Sequence, residues 1–246
     1  MLPELTQDEF AAALDAVSQD ILQNCDAQGP PIDALALARA LGLAVAWDAA
    51  QRGRGWTVRL RSPGGGAARG SILVRPEPRP ERLQWTVAHE VGETCAARVF
   101  DRLGVDPREA PPGARETVAN QLAGRLLLPG AWFEAHARAV DWDLVRLKAI
   151  YTTASHELIA RRMLDFAPPI AVTVFDHGQR TWRQGNLPGR LPPLLPFEQA
   201  AWRRAHETSE PATVEGPLCD VQAWPVHETD WKREILRTLW HDQDAD

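Results

Sequence analysis

Four side chains in two short stretches of this 246-residue sequence have the types and spacing for metal chemistry: His89, Glu90 and Glu93 in the first, Glu116 in the second. On a helix, residues four apart lie about 40° apart around the axis and roughly 6 Å along it. His89 and Glu93 would therefore share a face. An imidazole and a carboxylate presented together can bind a divalent cation, and Glu90, one position along, can reach an attacking water as general base. The run His89-Glu90-Val91-Gly92-Glu93 differs at one letter from the H-E-x-x-H zinc helix of metallopeptidases. Taken alone, the pair also fits an amphipathic helix with solvated acids. Glu116 on a second helix supplies the third protein ligand that a metal site needs.

Two helices must carry these groups. Leu83, Val87, Val91, Ala96 and Val99 give an apolar stripe at helical spacing from Pro80 to Phe100, and Pro80 with Glu81 suits a first turn. Arg115 to Pro129 reads as the second helix, ended by Pro129-Gly130.

With Thr86, Ala88, His89, Glu90 and Gly92, followed by Glu116, Ala119, Asn120, Ala123, Leu126, Leu127 and Pro129, the chain resembles the ImmA/IrrE-type metallopeptidase family. Its members carry T-x-A-H-E-x-G-H and then E-x-x-A-N-x-F-A-x-x-L-L-x-P. Leu122 stands where the family usually has Phe, and Glu93 stands at its second histidine ligand. The resemblance runs from about Ser71 to about Phe166. It implies an α+β fold: a zincin-like peptidase domain with a small N-terminal sheet and a helical bundle over residues 1–167, followed by a small α+β accessory domain over 168–246. It further implies His89, Glu93 and Glu116 as metal ligands, Glu90 as catalytic base, and a divalent metal, zinc first with manganese or iron as alternatives. The implied activity is intracellular endopeptidase cleavage of a protein substrate, a helix-turn-helix repressor in a stress or mobile-element response. The alternative is a peptidase-derived binding or sensor module in which Glu93 has ended hydrolysis. One histidine and two glutamates carry a charge of −2 where two histidines and one glutamate carry −1, so the altered set predicts a weaker Lewis acid and a shift toward harder metals.

Composition narrows the rest. A 44% hydrophobic and 24% charged chain has the balance of a folded globular protein rather than a disordered one. A net charge of −6 gives no broad attraction to nucleic acid or anionic lipid. Cys25, Cys95 and Cys219 have neither disulfide nor zinc-knuckle spacing, and the opening MLPELTQDEF is unlike a signal peptide. No run of about 18 uncharged apolar residues occurs. A cytoplasmic protein, neither exported nor membrane-spanning, is expected.

Along the chain, Thr6 to Glu9 reads as a capping box opening a helix that runs to Asn24. Asp33 to Leu41 predicts a short helix, and Leu43–Trp47, Trp56–Leu60 and Ser71–Val74 predict strands around a turn at Ser62 to Gly66. The edge of such a sheet either holds an extended substrate by strand addition or is purely structural. Asp141 to Ile150 and Thr153 to Phe166 predict a helix pair capped by Asp141 and Thr153. Arg161 and Arg162 give its second helix some likeness to a DNA-reading element, against packing on the metal helices. After Pro168-Pro169 come strands at Ile170–Phe175 and Arg180–Arg183, a helix from Phe197 to His206, a strand at Cys219–Val226, and a segment Trp231–Trp240 that fits either strand or helix. Five of the ten tryptophans fall here, in a pattern that favours core over a ligand pocket. His136 and His156 are further candidate ligands, whereas Cys95 lies about 240° around the helix from His89 and is excluded.

Overall fold

The computed structural model describes residues 5–50, 55–60, 69–166 and 168–241. It forms two compact units, Met1–Ala139 with Ala149–Ser155 and Val140–Lys148 with His156–Asp246.

In the first unit, α1 (Gln7–Asn24) opens with the expected capping box: Thr6 Oγ1 accepts from the Glu9 backbone N–H at 3.2 Å, and the Glu9 carboxylate accepts from Thr6 N–H at 2.9 Å. Leu14, Val17 and Ile21 form its buried stripe. α2 (Ala34–Ala40) is capped by Asp33, which accepts from Leu35 N–H at 3.0 Å. Three strands follow, β1 (Ala44–Trp47), β2 (Gly55–Leu60) and β3 (Arg69–Val74), in the order β1-β3-β2. β3 is central, parallel to β1 and antiparallel to β2. The turn expected at Ser62 to Gly66 lies outside the described residues.

α3 (Pro80–Leu103) runs against β2 and β3. Proline at its first turn and Gly104 at its end, with φ 66°, set its limits. α4 (Ala114–Leu127) lies alongside it, burying Val118, Ala119, Leu122, Ala123, Leu126 and Leu127. Each fully buried leucine contributes about 1.5–3 kcal/mol, so this stripe holds α4 firmly. Buried Arg125 also pairs with Asp15 of α1 at 3.3 Å.

Gly92 has a specific task here. A Cβ at this position would stand 2.5 Å from the Ala119 carbonyl oxygen, so only glycine lets the two helix backbones approach this closely. Pro129-Gly130 ends α4 as expected but also starts α5 (Gly130–Ala139), since Phe133 N–H donates to Pro129 O at 2.8 Å. That helix was not anticipated from the sequence, because a Pro-Gly pair reads as a stop.

In the second unit, α6 (Leu144–Ile150, its end grouped with the first unit) and α7 (His156–Arg162) are shorter than expected. Asp141 and Trp142 have φ of 52° and 57°, so neither is helical. Asp143, not Asp141, caps α6, accepting from Arg146 N–H at 2.8 Å. Nor does Thr153 cap α7, for its buried hydroxyl has no partner among the described residues. α7 packs on β4 (Ile170–Asp176) and β8 (Trp231–Trp240), the inner strands of a sheet with β5 (Gln179–Gly185), β6 (Ala212–Glu215) and β7 (Cys219–Glu228). The order is β5-β4-β8-β7-β6 and every pairing is antiparallel. His177-Gly178, with φ of 49° and 79°, makes the two-residue turn between β4 and β5.

α8 (Pro196–Thr208) covers one face, over a core of Phe175, Ala201, Ala205, Val221, Ala223 and Leu236. Residues 234–238 of β8 are buried without alternation because both faces of the sheet are covered, which is why the sequence left Trp231–Trp240 open between strand and helix. The tryptophans are mostly structural: Trp224 is buried and donates to Asp143 at 3.2 Å, Trp182 lies under Arg161 at 4.1 Å, and Trp202 stacks on Phe175 at 4.9 Å. Among the described residues no helix is long and apolar enough to cross a membrane.

Candidate metal centre

The close contact of α3 and α4 brings His89, Glu93 and Glu116 together, with one possible ligand atom from each lying within 4.8 Å of the others. His89 Nε2 stands 3.6 Å from Glu116 Oε2. Ligand bonds of about 2.0–2.2 Å at tetrahedral angles put neighbouring donor atoms about 3.3 Å apart, so this separation already suits a shared divalent ion. The donor set, one imidazole and two carboxylates, fits such an ion chemically.

The imidazole is oriented by a residue one turn along α4 from Glu116. Asn120 Nδ2 donates to Glu116 Oε1 at 2.9 Å, which leaves Asn120 Oδ1 facing His89 Nδ1 at 3.1 Å. An amide oxygen only accepts, so Nδ1 carries the proton and the Nε2 lone pair points toward Glu116. Asn120 thus sets the tautomer and joins two of the three candidate ligands, the arrangement commonly found behind metal-binding histidines. Its spacing of four from Glu116 was visible in the sequence, but the partner on α3 was not.

Arg115 is the second participant that sequence reasoning missed. Its Nε donates to Glu93 Oε2 at 2.8 Å and its Nη2 to the Glu93 backbone oxygen at 2.9 Å. With Arg115 beside it, the pair of carboxylates presents a net −1 rather than −2, close to the balance of a two-histidine, one-glutamate set. The weaker Lewis acidity expected from the ligands alone is partly offset, though the exposed guanidinium acts through solvent screening. No motif announces an arginine that reaches across from the next helix.

Glu90 is 7% exposed, next in sequence to His89, and its backbone oxygen accepts the Thr94 hydroxyl at 2.9 Å. Thr86, one turn earlier on the same helix, joins Arg75, Pro76, Glu77 and Pro78 in lining a recess of about 200 Å³. The remaining candidates lie elsewhere. His136 Nδ1 meets the Tyr151 hydroxyl at 3.0 Å, and neither His136 nor His156 joins a metal-competent cluster among the described residues. Cys95 is buried, in keeping with its helical offset, and joins no metal-competent cluster among the described residues; burial raises its thiol pKa, against the opposing charge of Arg98.

An α+β fold with paired helices presenting His and Glu groups beside a small sheet defines a metallopeptidase-like domain. A family model described as the IrrE N-terminal-like domain, a peptidase family, matches residues 41–164, and the chain belongs to that family. No curated protein matches it. Among solved structures, a Mycobacterium tuberculosis transcriptional regulator is similar over 94% of this chain and 81% of that one, with a TM-score of 0.63. At 14% identity this likeness shows a shared fold.

Proposed function

We propose that the chain is a metal-dependent endopeptidase acting inside the cell, with His89, Glu93 and Glu116 as metal ligands and Glu90 as catalytic base. The observation that carries this reading is the convergence of the three side chains from two helices. Zinc is the first candidate metal, with manganese or iron as alternatives. When bound, the ion supplies Lewis acidity toward a scissile carbonyl and lowers the pKa of the attacking water. Glu90 takes the proton from that water and passes it to the leaving amine. Asn120 keeps the His89 Nε2 lone pair directed inward, and the recess beside Thr86 admits a substrate side chain. An outer strand of the β1-β3-β2 sheet offers main-chain groups to an extended peptide.

The substrate we propose is a helix-turn-helix repressor, cleaved in a stress or mobile-element response. This follows from the family resemblance, and similarity to a protein named as a transcriptional regulator is in keeping with a regulatory setting. Direct DNA reading by α7 is disfavoured by its seven-residue length and its engaged arginines: Arg161 pairs with Glu157 at 2.6 Å, and buried Arg162 pairs with Asp165.

One observation favours a second reading, a binding module without hydrolysis: Glu93 already has an arginine partner and needs no cation for charge balance. The two separate in one experiment. The purified full chain is stripped of metal, resupplied with zinc, manganese or ferrous iron, and incubated with candidate repressors alongside Glu90→Gln. The peptidase predicts cleavage that needs metal and falls at least about 100-fold in Glu90→Gln. Repressor binding without cleavage in any metal would sink it in favour of the module, and cleavage gained by Glu93→His would locate where activity was lost.

A further inference from the structure

Among the described residues of the second unit, two carboxylates, Glu198 and Glu234, have no solvent exposure at all, and they are satisfied in different ways. Glu198 has a conventional partner: Arg183 donates to its two oxygens at 2.8 and 3.2 Å, and the Thr238 hydroxyl adds a further bond. Glu234 pairs with no lysine or arginine among the described residues. Its Oε1 instead faces two imidazole nitrogens, His206 Nδ1 at 2.9 Å and His227 Nε2 at 2.6 Å, while its Oε2 accepts from Trp202 Nε1 at 3.1 Å. A wholly buried carboxylate without a fixed cation is costly, and here the groups around it are metal-ligating types.

We propose that His206, His227 and Glu234 form a second divalent-cation site, of the zinc class, independent of the centre on α3 and α4. One potential ligand atom from each lies within 4.8 Å of the others. They come from α8, β7 and β8, so a shared ion would tie the helix to the two strands beneath it. Two imidazoles and one carboxylate give the intermediate N/O donor set that zinc and its first-row neighbours favour, and three protein ligands leave a position for an exchangeable fourth.

The outer partners are in place as well. Trp202 holds the carboxylate through Oε2 and leaves Oε1 for the ion, and Ser209 Oγ lies 3.1 Å from His227 Nδ1, the nitrogen turned away from Glu234. Binding moves the imidazole protons that now face Oε1 to the opposite ring nitrogens, Nε2 of His206 and Nδ1 of His227, where Ser209 Oγ can accept the latter. It also widens the 2.6 and 2.9 Å separations to about 3.3 Å, a shift of a few tenths of an ångström that rotation of the partly exposed His206 and His227 rings supplies. Entry is from the His206 side, where the side chain is 31% exposed.

The test uses the full chain carrying His89→Ala and Glu116→Ala, which silences the first centre, and zinc alone as the probe in calorimetric titration. One equivalent binds, and zinc raises Tm. In that background His206→Gln and His227→Gln each weaken binding by more than the roughly 10–100-fold typical of losing an outer partner, and Trp202→Phe falls within that range. Circular dichroism verifies that each variant is folded. The histidine substitutions carry the result because Glu234→Gln strikes a buried network. Absence of zinc binding up to about 1 mM in the His89→Ala, Glu116→Ala chain, or unchanged affinity in either histidine variant, overturns the assignment. Loss of peptidase activity in the first centre has no bearing on this outcome.

Discussion

Among the described residues, two clusters of histidine and glutamate are built on opposite electrostatic plans. In the first unit, one imidazole is grouped with two carboxylates; Glu116 is 60% exposed and Glu93 is neutralised from outside by Arg115. In the second, two imidazoles enclose a single carboxylate with no exposure. Water stabilises surplus negative charge at the first, so it can stand open to a substrate. Protein alone stabilises the charge at the second, so that cluster is tied into the core and suits holding an element in place more than turning over a peptide. The same residue types thus serve different ends, depending on how much solvent remains around the acid.

Single substitutions put this contrast to the test. Glu90 is the most sensitive position: on the proposed peptidase reading, Glu90→Gln lowers cleavage at least about 100-fold while zinc affinity at both clusters changes little, as read by titration and a cleavage assay together. Next comes Gly92→Ala. The added methyl meets the Ala119 carbonyl oxygen, costing about 1–3 kcal/mol in a denaturant titration, and weakens metal binding at the first cluster alone. Equal loss at both clusters would mean that the two are coupled.

Asn120→Ala frees the His89 ring and is expected to lower metal affinity at the first cluster about 10–100-fold with a smaller change in stability. Arg115→Met acts in the other direction. Losing a screened positive charge beside Glu93 strengthens divalent-ion binding by a few-fold, costs less than about 1 kcal/mol of stability, and slows cleavage because the ligand set becomes more electron-rich.

A conventional pair in the second unit supplies the control. Burial raises the Asp176 pKa, but hydrogen bonds from Arg233 and Thr181 and the charges of Arg233 and His177 outweigh it and hold the carboxyl below its ordinary range. A depressed folded-state pKa contributes stability that is fully present above the unfolded value of about 3.9 and is lost as pH falls through the folded value. Asp176→Asn should therefore lower Tm at neutral pH, with the gap to the unaltered chain closing below about pH 4. A gap that stays constant down to pH 2 would show that the Asp176 interaction with Arg233 and Thr181 is not electrostatic in origin.

Much of the first unit is legible from residue order because its signals are local. The capping box at Thr6, the proline opening α3, the apolar stripe of α3 and the Pro129-Gly130 stop of α4 each act within a few residues. The second unit was harder to read for a definite reason. β8 is covered on both faces and loses the alternation that marks a strand, β6 has only four residues, and the cap expected at Asp141 is displaced because Asp141 and Trp142 take left-handed backbone angles.

Residue order alone is enough for the family, the two helices that carry His89, Glu90, Glu93 and Glu116, and the separation of those groups along each helix, since helical periodicity converts spacing directly into direction. The meeting of groups far apart in sequence depends on the packed fold. Arg115 reaches Glu93, Asn120 reaches His89, and His206, His227 and Glu234 gather from a helix and two strands. Contacts of this kind depend on the approach of whole elements, governed at Gly92 by the absence of a single methyl group, and no local pattern of residues records that distance.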